Sequence, residues 1–194
     1  MDVFKPVYTE QNDCQDCYKC IRECQLKAIK VTNNAAQILH EDCIYCGNCT
    51  LVCPVNAKKV RNDLTRVKSL LKRNQNVIVS LAPSYMSEFP SLKDEQIVAA
   101  IKELGFANVS ETALGAELVS QKVSEFLDEK QSGIYISSAC PSVVEMICKH
   151  FPQYKDNITP FLSPLLTHCK MLKQEYGEDC KIVFIGPCIA KKSE

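Results

Sequence analysis

The chain lacks the features that would send it to a membrane, a nucleic acid or the secretory route. No apolar run approaches the roughly 18 residues a membrane span needs. The start, MDVFKPVYTEQ, has no basic segment followed by an apolar stretch, so a secretory leader is not expected. Charge of one sign is also missing: 23 basic side chains balance 23 acidic ones. Without a basic block there is no electrostatic basis for binding nucleic acid or an anionic bilayer. Tryptophan is absent, yet 46% of the 194 residues are hydrophobic and 24% charged, a balance that argues against disorder and for one or two globular domains. The expected location is the cytoplasm. Against that background the 13 cysteines are abnormal. Their number is odd, and disulfides are rare in a cytoplasmic protein, so metal binding is the first reading to test.

Eight of the 13 cysteines lie between residues 14 and 53, in two copies of C-x2-C-x2-C-x3-C that start 29 residues apart. The first is Cys14, Cys17, Cys20 and Cys24 in CQDCYKCIREC; the second is Cys43, Cys46, Cys49 and Cys53 in CIYCGNCTLVCP. Three cysteines at i, i+3 and i+6 can aim three soft thiolates at one compact cluster. The fourth, a helical turn further on, ligates the other cluster. Cys14, Cys17, Cys20 and Cys53 are thus expected on one [4Fe–4S] cluster, and Cys43, Cys46, Cys49 and Cys24 on a second. Zinc would pair C-x2-C with a distant second pair, and a redox C-x-x-C needs only two cysteines. Residues 1–62 resemble the bacterial two-cluster ferredoxin domain. One departure is that Cys24 is followed by Gln25, where the second copy has Cys53-Pro54. Each oxidised cluster with four thiolates carries about −2, so the loaded protein is acidic although the bare chain is neutral.

Beyond Val60 the pattern changes. DLTRVKSLLKRN places Leu64, Val67, Leu70 and Leu71 on one face of a connecting helix over 63–75. VIVSLA (77–82), IYISS (134–138) and KIVFIG (181–186) read as buried strands, with a weaker one at FANVS (106–110). Helices are expected after a Ser91/Asp94 capping box, across 114–130, from Pro141 to His150, and from Ser163-Pro164 to Gly177. Alternating strands and helices argue for a parallel sheet covered by helices, with ligands beyond the carboxyl ends of the strands. The segments following the three strong strands all pair proline with small or sulfur residues: Ala82-Pro83-Ser84, Ala139-Cys140-Pro141 and Gly186-Pro187-Cys188.

SSACPSVV and IGPCIAKKSE resemble the first two active-site motifs of the iron-only ([FeFe]) hydrogenase catalytic domain, whose usual forms are T-S-C-C-P-x-W and M-P-C-x-x-K-x-x-E. APSY and LGAEL at 114–118 also fit. The expected architecture is an α+β ferredoxin-like domain (1–62), the connecting helix (63–75), and a partial hydrogenase large-subunit α/β domain with a mainly parallel sheet (76–194). The resemblance implies that Cys140 and Cys188 ligate the [4Fe–4S] part of a hydrogen-activating cluster in the full-length protein. It further implies that Lys191 hydrogen-bonds a cyanide, that Pro83 and Ser84 line the pocket, and that Glu194 stands in the surrounding shell. Ala139 departs from the family: its counterpart is a cysteine that relays protons. The chain also ends at Glu194, ahead of the third motif, and reads as a fragment.

Four functions follow. The first is electron transfer through two clusters to the hydrogenase-like domain, with a redox partner protein as donor or acceptor. The second is sensing of hydrogen or redox state, favoured by Ala139, and the third is hydrogen turnover with another relay, through Glu125 or Glu129. The fourth is a purely structural use of the clusters, with which the ligand spacing is equally consistent. The remaining Cys148, Cys169 and Cys180 are expected as small buried side chains. His40, His150 and His168 are expected in surface or packing roles.

Overall fold

A computed structural model describes residues 5–74, 76–130 and 132–194; the expected end of the connecting helix at Gln75 lies outside them. The chain forms two compact units that do not follow chain order. The first gathers Met1–Asn62, Tyr135–Ile158 and Cys188–Glu194; the second gathers Asp63–Ile134 and Thr159–Pro187.

In the first unit, β1 (Val7–Thr9) pairs antiparallel with β4 (Lys58–Val60), and β2 (Ile29–Thr32) with β3 (Ala35–Ile38). The β2–β3 hairpin turns through Asn33 and Asn34, at φ 53° and 55°. Two left-handed residues match the twist of the flanking strands, and asparagine tolerates that conformation. Two five-residue helices, α1 (Lys19–Glu23) and α2 (Asn48–Val52), pack on each other. Val7, Cys20, Ile29, Ala36, Ile38 and Tyr45 form the core, completed by Ala190 from near the end of the chain. Helix α7 (Pro141–His150) starts on Pro141 as expected and is tied down at its other end. There Lys149 donates to the carbonyls of His40 (2.9 Å) and Cys43 (2.8 Å), and His150 Nε2 lies 2.8 Å from the Asp42 carbonyl.

The second unit is built on a parallel sheet in the order β6-β5-β7, from β5 (Val77–Leu81), β6 (Asn108–Glu111) and β7 (Lys181–Ile185). All five β5 residues are buried, as a central parallel strand requires. Alternation along β5 divides the core. Val77, Val79 and Leu81 pack with Ile97 and Ile101 of α5 (Asp94–Glu103) and with Val67, Leu70 and Leu71 of α3 (Leu64–Arg73), whereas Ile78 packs with Leu172 of α8 (Pro164–Tyr176) and Cys180. The sheet is thus covered on both faces.

Helix α6 (Thr112–Lys130) lies against α8, and Gly115 permits the approach. A Cβ there would stand 2.7 Å from His168 Cβ and 2.8 Å from His168 N, and closer still to the Pro164 carbonyl. Two of these atoms are backbone and cannot swing aside. Gly115→Ala should therefore cost about 1–3 kcal/mol, the range for overpacking. Urea unfolding followed by far-UV circular dichroism would measure it, and an unchanged midpoint would mean that the helices separate freely.

The structure departs from sequence expectation in several places. IYISS makes only an isolated parallel bridge, Ile136 to Ile158, and Ile134 is 78% exposed. An apolar, β-branched run is not a strand unless a neighbour offers a ladder. Helix α5 begins at Asp94 rather than after Ser91; the Gln96 side chain accepts from Lys93 N–H at 2.9 Å, and no reciprocal bond forms because a lysine side chain has no acceptor. Leu64 lies at the first position of α3 and is exposed. Cys180 is buried as expected and Cys169 half-buried, but Cys148 is exposed on α7.

Candidate metal centre

The 29-residue repeat of the cysteines is repeated in the backbone. Left-handed φ angles occur at Asp16 and Tyr45 (53° and 56°), at Tyr18 and Gly47 (59° and 82°), and at Lys27 and Asn56 (56° and 53°), each pair 29 positions apart. Hydrogen bonds repeat as well: Ile21 N–H to the Tyr18 carbonyl (3.1 Å) matches Thr50 to Gly47 (2.9 Å), and Lys27 to Cys24 (3.1 Å) matches Asn56 to Cys53 (3.3 Å). Non-glycine residues at positive φ are uncommon, so six left-handed positions in register, five of them not glycine, mark two copies of one tight cysteine loop. Exposure matches at three of the four pairs: Cys14 and Cys43 are half-buried, Cys17 and Cys46 exposed, and Cys24 and Cys53 half-buried, whereas Cys20 is buried and Cys49 half-buried.

The thiols interact across the copies. Burial raises Cys20, Lys58 opposes the shift, and repulsion from Cys53, Cys14 and Cys17 adds to it. Burial likewise raises Cys43, opposed by the Tyr45 N–H and reinforced by Cys46 and Cys24. Cys49 is pushed up to about 12, again first by burial, with Cys43 and Cys46 adding to it. Cys53 goes the other way: burial would raise it, but N–H groups of Lys58, Val55 and Ala57 together with the Lys58 charge outweigh that. Cys20 therefore has Cys53 among its neighbours, and Cys43 has Cys24, each the fourth cysteine of the other copy. Backbone N–H groups also reach the sulfurs, from Ala36 to Cys14 (3.5 Å), Tyr45 to Cys43 (3.4 Å) and Ala57 to Cys53 (3.2 Å). Among the described residues no three Cys, His, Asp or Glu side chains gather as one ion needs. Soft sulfur donors with N–H groups aimed at them suit iron–sulfur clusters.

The other site residues divide between the units. Cys140, directly before α7, and Cys188 are both exposed and belong to the first unit. Lys191 and Glu194, on and after a short 3-10 helix (Ala190–Ser193), form an ion pair at 3.2 Å with side chains only 16% and 13% exposed. That segment docks on the ferredoxin-like core: Ala190 is buried in it, Arg61 donates to the Lys192 carbonyl at 2.9 Å, and Ile189 fills the space over Gly47 that a Cβ would take. In the second unit, Ser84 lines a cavity of about 710 Å3 with Leu81, Ala82, Tyr85, Gly186 and Pro187. It opens beyond the carboxyl ends of β5 and β7, where such sheets bind ligands. Pro83 is exposed, and so are Glu125 and Glu129 on α6.

Sequence reasoning missed one polar cluster. His168, 1% exposed, has Nδ1 2.8 Å from Ser80 Oγ and Nε2 2.9 Å from Ser110 Oγ, and Ser80 Oγ lies 2.8 Å from Thr112 Oγ1. No spacing motif marks it, because its members come from two strands and two helices.

Repeated cysteine loops in one unit and a helix-covered parallel sheet in the other define an iron–sulfur protein with an α/β domain. Residues 75–194 match the family described as iron only hydrogenase large subunit, C-terminal domain, and the chain belongs to that family. Residues 36–59, which hold the second cysteine motif, match the 4Fe-4S binding domain. Among solved structures the chain is similar to an [FeFe]-hydrogenase studied for oxygen inactivation through modification and degradation of the H cluster 2Fe subcluster. That likeness has a TM-score of 0.54 at 20% identity and covers 68% of this chain and 40% of that one. It is also similar to an [FeFe]-hydrogenase studied for stepwise H-cluster assembly, with a TM-score of 0.54 at 21% identity, over 68% of this chain and 39% of that one. At these identities the likeness is one of fold, and the chain spans about 40% of the length of the structures it matches.

Proposed function

We propose that the chain is an electron-transfer module in which two [4Fe–4S] clusters feed an iron-only hydrogenase-like domain. Cys14, Cys17, Cys20 and Cys53 would hold one cluster, and Cys43, Cys46, Cys49 and Cys24 the other. The observation that carries this is the 29-residue repeat of left-handed positions around both cysteine loops, with the fourth cysteine of each copy beside the other set. When bound, such clusters pass one electron at a time. The chain's own part is to present thiolates, to aim N–H groups of Ala36, Tyr45 and Ala57 at sulfur, and to exclude water from Cys20 with Val7, Ile29 and Ile38. Donors to the sulfurs favour the more negative, reduced state.

In this reading residues 1–62 act as the ferredoxin domain, 63–75 as the connecting helix and 76–194 as the partial catalytic domain. Cys140 and Cys188 contribute ligands to a hydrogen-activating cluster in the full-length protein. Ser84 and Pro83 serve its pocket, and Lys191 and Glu194 its surroundings. The partner is a redox protein and the setting cytoplasmic; among the described residues no helix is long and apolar enough to cross a membrane. A second reading, sensing of hydrogen or redox state, is favoured by Ala139, a half-buried residue with no exchangeable side-chain proton where the family carries a thiol. Hydrogen uptake by the full-length protein at ordinary hydrogenase rates would overturn it.

Anaerobic reconstitution of this chain should load about eight irons, from two four-iron clusters. Reduction should produce two interacting S = 1/2 paramagnetic signals. Four irons or fewer would overturn the two-cluster reading.

A further inference from the structure

The internal repeat supplies its own control at one buried position. Counting 29 residues on from Ala28-Ile29 leads to Ala57-Lys58, and both Ile29 and Lys58 open a strand, β2 and β4. Ile29 is 6% exposed and Lys58 is 4% exposed. One half of the repeat thus fills this place with an apolar side chain and the other with a lysine. Lysine is almost never buried to this degree without polar partners, because its desolvation must be offset. Here Nζ donates to Thr9 Oγ1 at 2.6 Å and to the Ala36 carbonyl, and Thr9 Oγ1 donates to that same carbonyl at 2.8 Å. Among the described residues no carboxylate is paired with it.

The charge is not shared evenly by the two cysteine sets. Its surroundings join it to the first set: Ala36, whose carbonyl accepts from Nζ, donates its N–H to Cys14 Sγ at 3.5 Å, and the adjacent Ala57 N–H donates to Cys53 Sγ at 3.2 Å. The charge pulls down Cys20 and Cys53 of this set, and Cys49 of the other. The second set has a lysine of its own, Lys149, which acts on Cys43. That charge is partly offset: Lys149 Nζ donates to the Cys43 carbonyl at 2.8 Å, but it also pairs with Glu145 Oε2 at 2.6 Å and lies 5.3 Å from the centre of the Tyr45 ring.

We propose that Lys58 makes the two cluster sites electrostatically unequal, raising the reduction potential of the cluster on Cys14, Cys17, Cys20 and Cys53 above that of its partner. The inference rests on the two-cluster reading. Reduction adds a negative charge to a cluster, and a positive charge buried beside it, where screening by water is weak, stabilises the reduced state. An electron entering the pair then settles on the first set, so Lys58 gives the module a direction.

The test is redox titration of the reconstituted chain, followed by its paramagnetic signals, with iron counted for every variant. Lys58→Met and Lys58→Gln remove the charge; Gln keeps a donor for Thr9 and Ala36. Lys58→Arg keeps the charge. In Met and Gln the higher-potential step should fall by about tenfold in its equilibrium constant, ~59 mV for a one-electron couple, and the two steps should draw together. In Arg the separation should persist. Unchanged potentials in Met and Gln would overturn the proposal. So would an equal fall in Arg, or loss of iron from all three variants, since packing rather than charge would then be at work. Loss of iron from Met and Gln but not Arg would support it as a demand for charge at this place. A wild-type chain with only four irons would instead overturn the two-cluster reading, and the inequality with it.

Discussion

The double variant Cys24→Ala/Cys46→Ala should keep one intact [4Fe–4S] cluster and about four irons per chain, because under crossed ligation both lost thiolates belong to the same site. That site would retain only Cys43 and Cys49, too few to hold a cluster, while Cys14, Cys17, Cys20 and Cys53 stay complete. Reduction should leave a single S = 1/2 signal without the splitting of an interacting pair. If each C-x2-C-x2-C-x3-C run served its own cluster, the same variant would remove one ligand from each. Two three-iron clusters, about six irons and a signal in the oxidised state would result. Cys53→Ala/Cys17→Ala is the mirror test and should spare the other cluster. Cys17 and Cys46 suit the purpose because both are exposed, so their loss leaves no cavity in the core. The expectation rests on the neighbours of Cys20 and Cys43, which reach across the repeat to Cys53 and Cys24.

His168→Leu should be among the most destabilising single changes in the second unit. The imidazole joins β5 through Ser80 and β6 through Ser110, and leucine would leave two hydroxyls without that partner, at about 1–3 kcal/mol each when buried. Ser80 keeps Thr112, which offsets part of the loss, so a net cost of about 2–4 kcal/mol is expected. Burial lowers the His168 pKa from 6.5, with only the Glu175 carboxylate pulling the other way. The sign follows: the unfolded chain binds a proton at a higher pH than the folded one. His168 therefore contributes stability that is present above about pH 6.5 and is lost as pH falls through the lower, folded-state value. Urea midpoints measured between pH 7.5 and 5 should fall in the wild type, and this component should be missing in His168→Leu. A midpoint that holds steady down to pH 5 in the wild type would show that the imidazole is protonated without loss of the network.

How far such features can be read without a structure depends on how local their causes are. The cysteine loops were legible because ligand spacing over eleven residues is a matter of turn geometry, and the left-handed positions realise that geometry within each copy. Helix α7 was legible because proline at a first helical turn acts on its own neighbours, and β5 because five consecutive buried residues need no knowledge of their partners. IYISS was misread for the converse reason. Its composition suits a strand, but a ladder is made by the neighbouring chain, and Ile158 alone answers it.

Sequence by itself thus determined the iron–sulfur chemistry, the repeat and the alternation of strands and helices, all of which arise from contacts within about thirty residues. Tertiary structure alone decided that 135–158 and 188–194 join the ferredoxin-like unit, and that His168 is held between two serines. It also decided that Lys58, and not its counterpart Ile29, brings a buried positive charge to the cysteines. The physical reason is range. A turn or a helix start is set by the residues beside it, but burial and the charge felt by a sulfur are set by whatever the fold brings near from far along the chain.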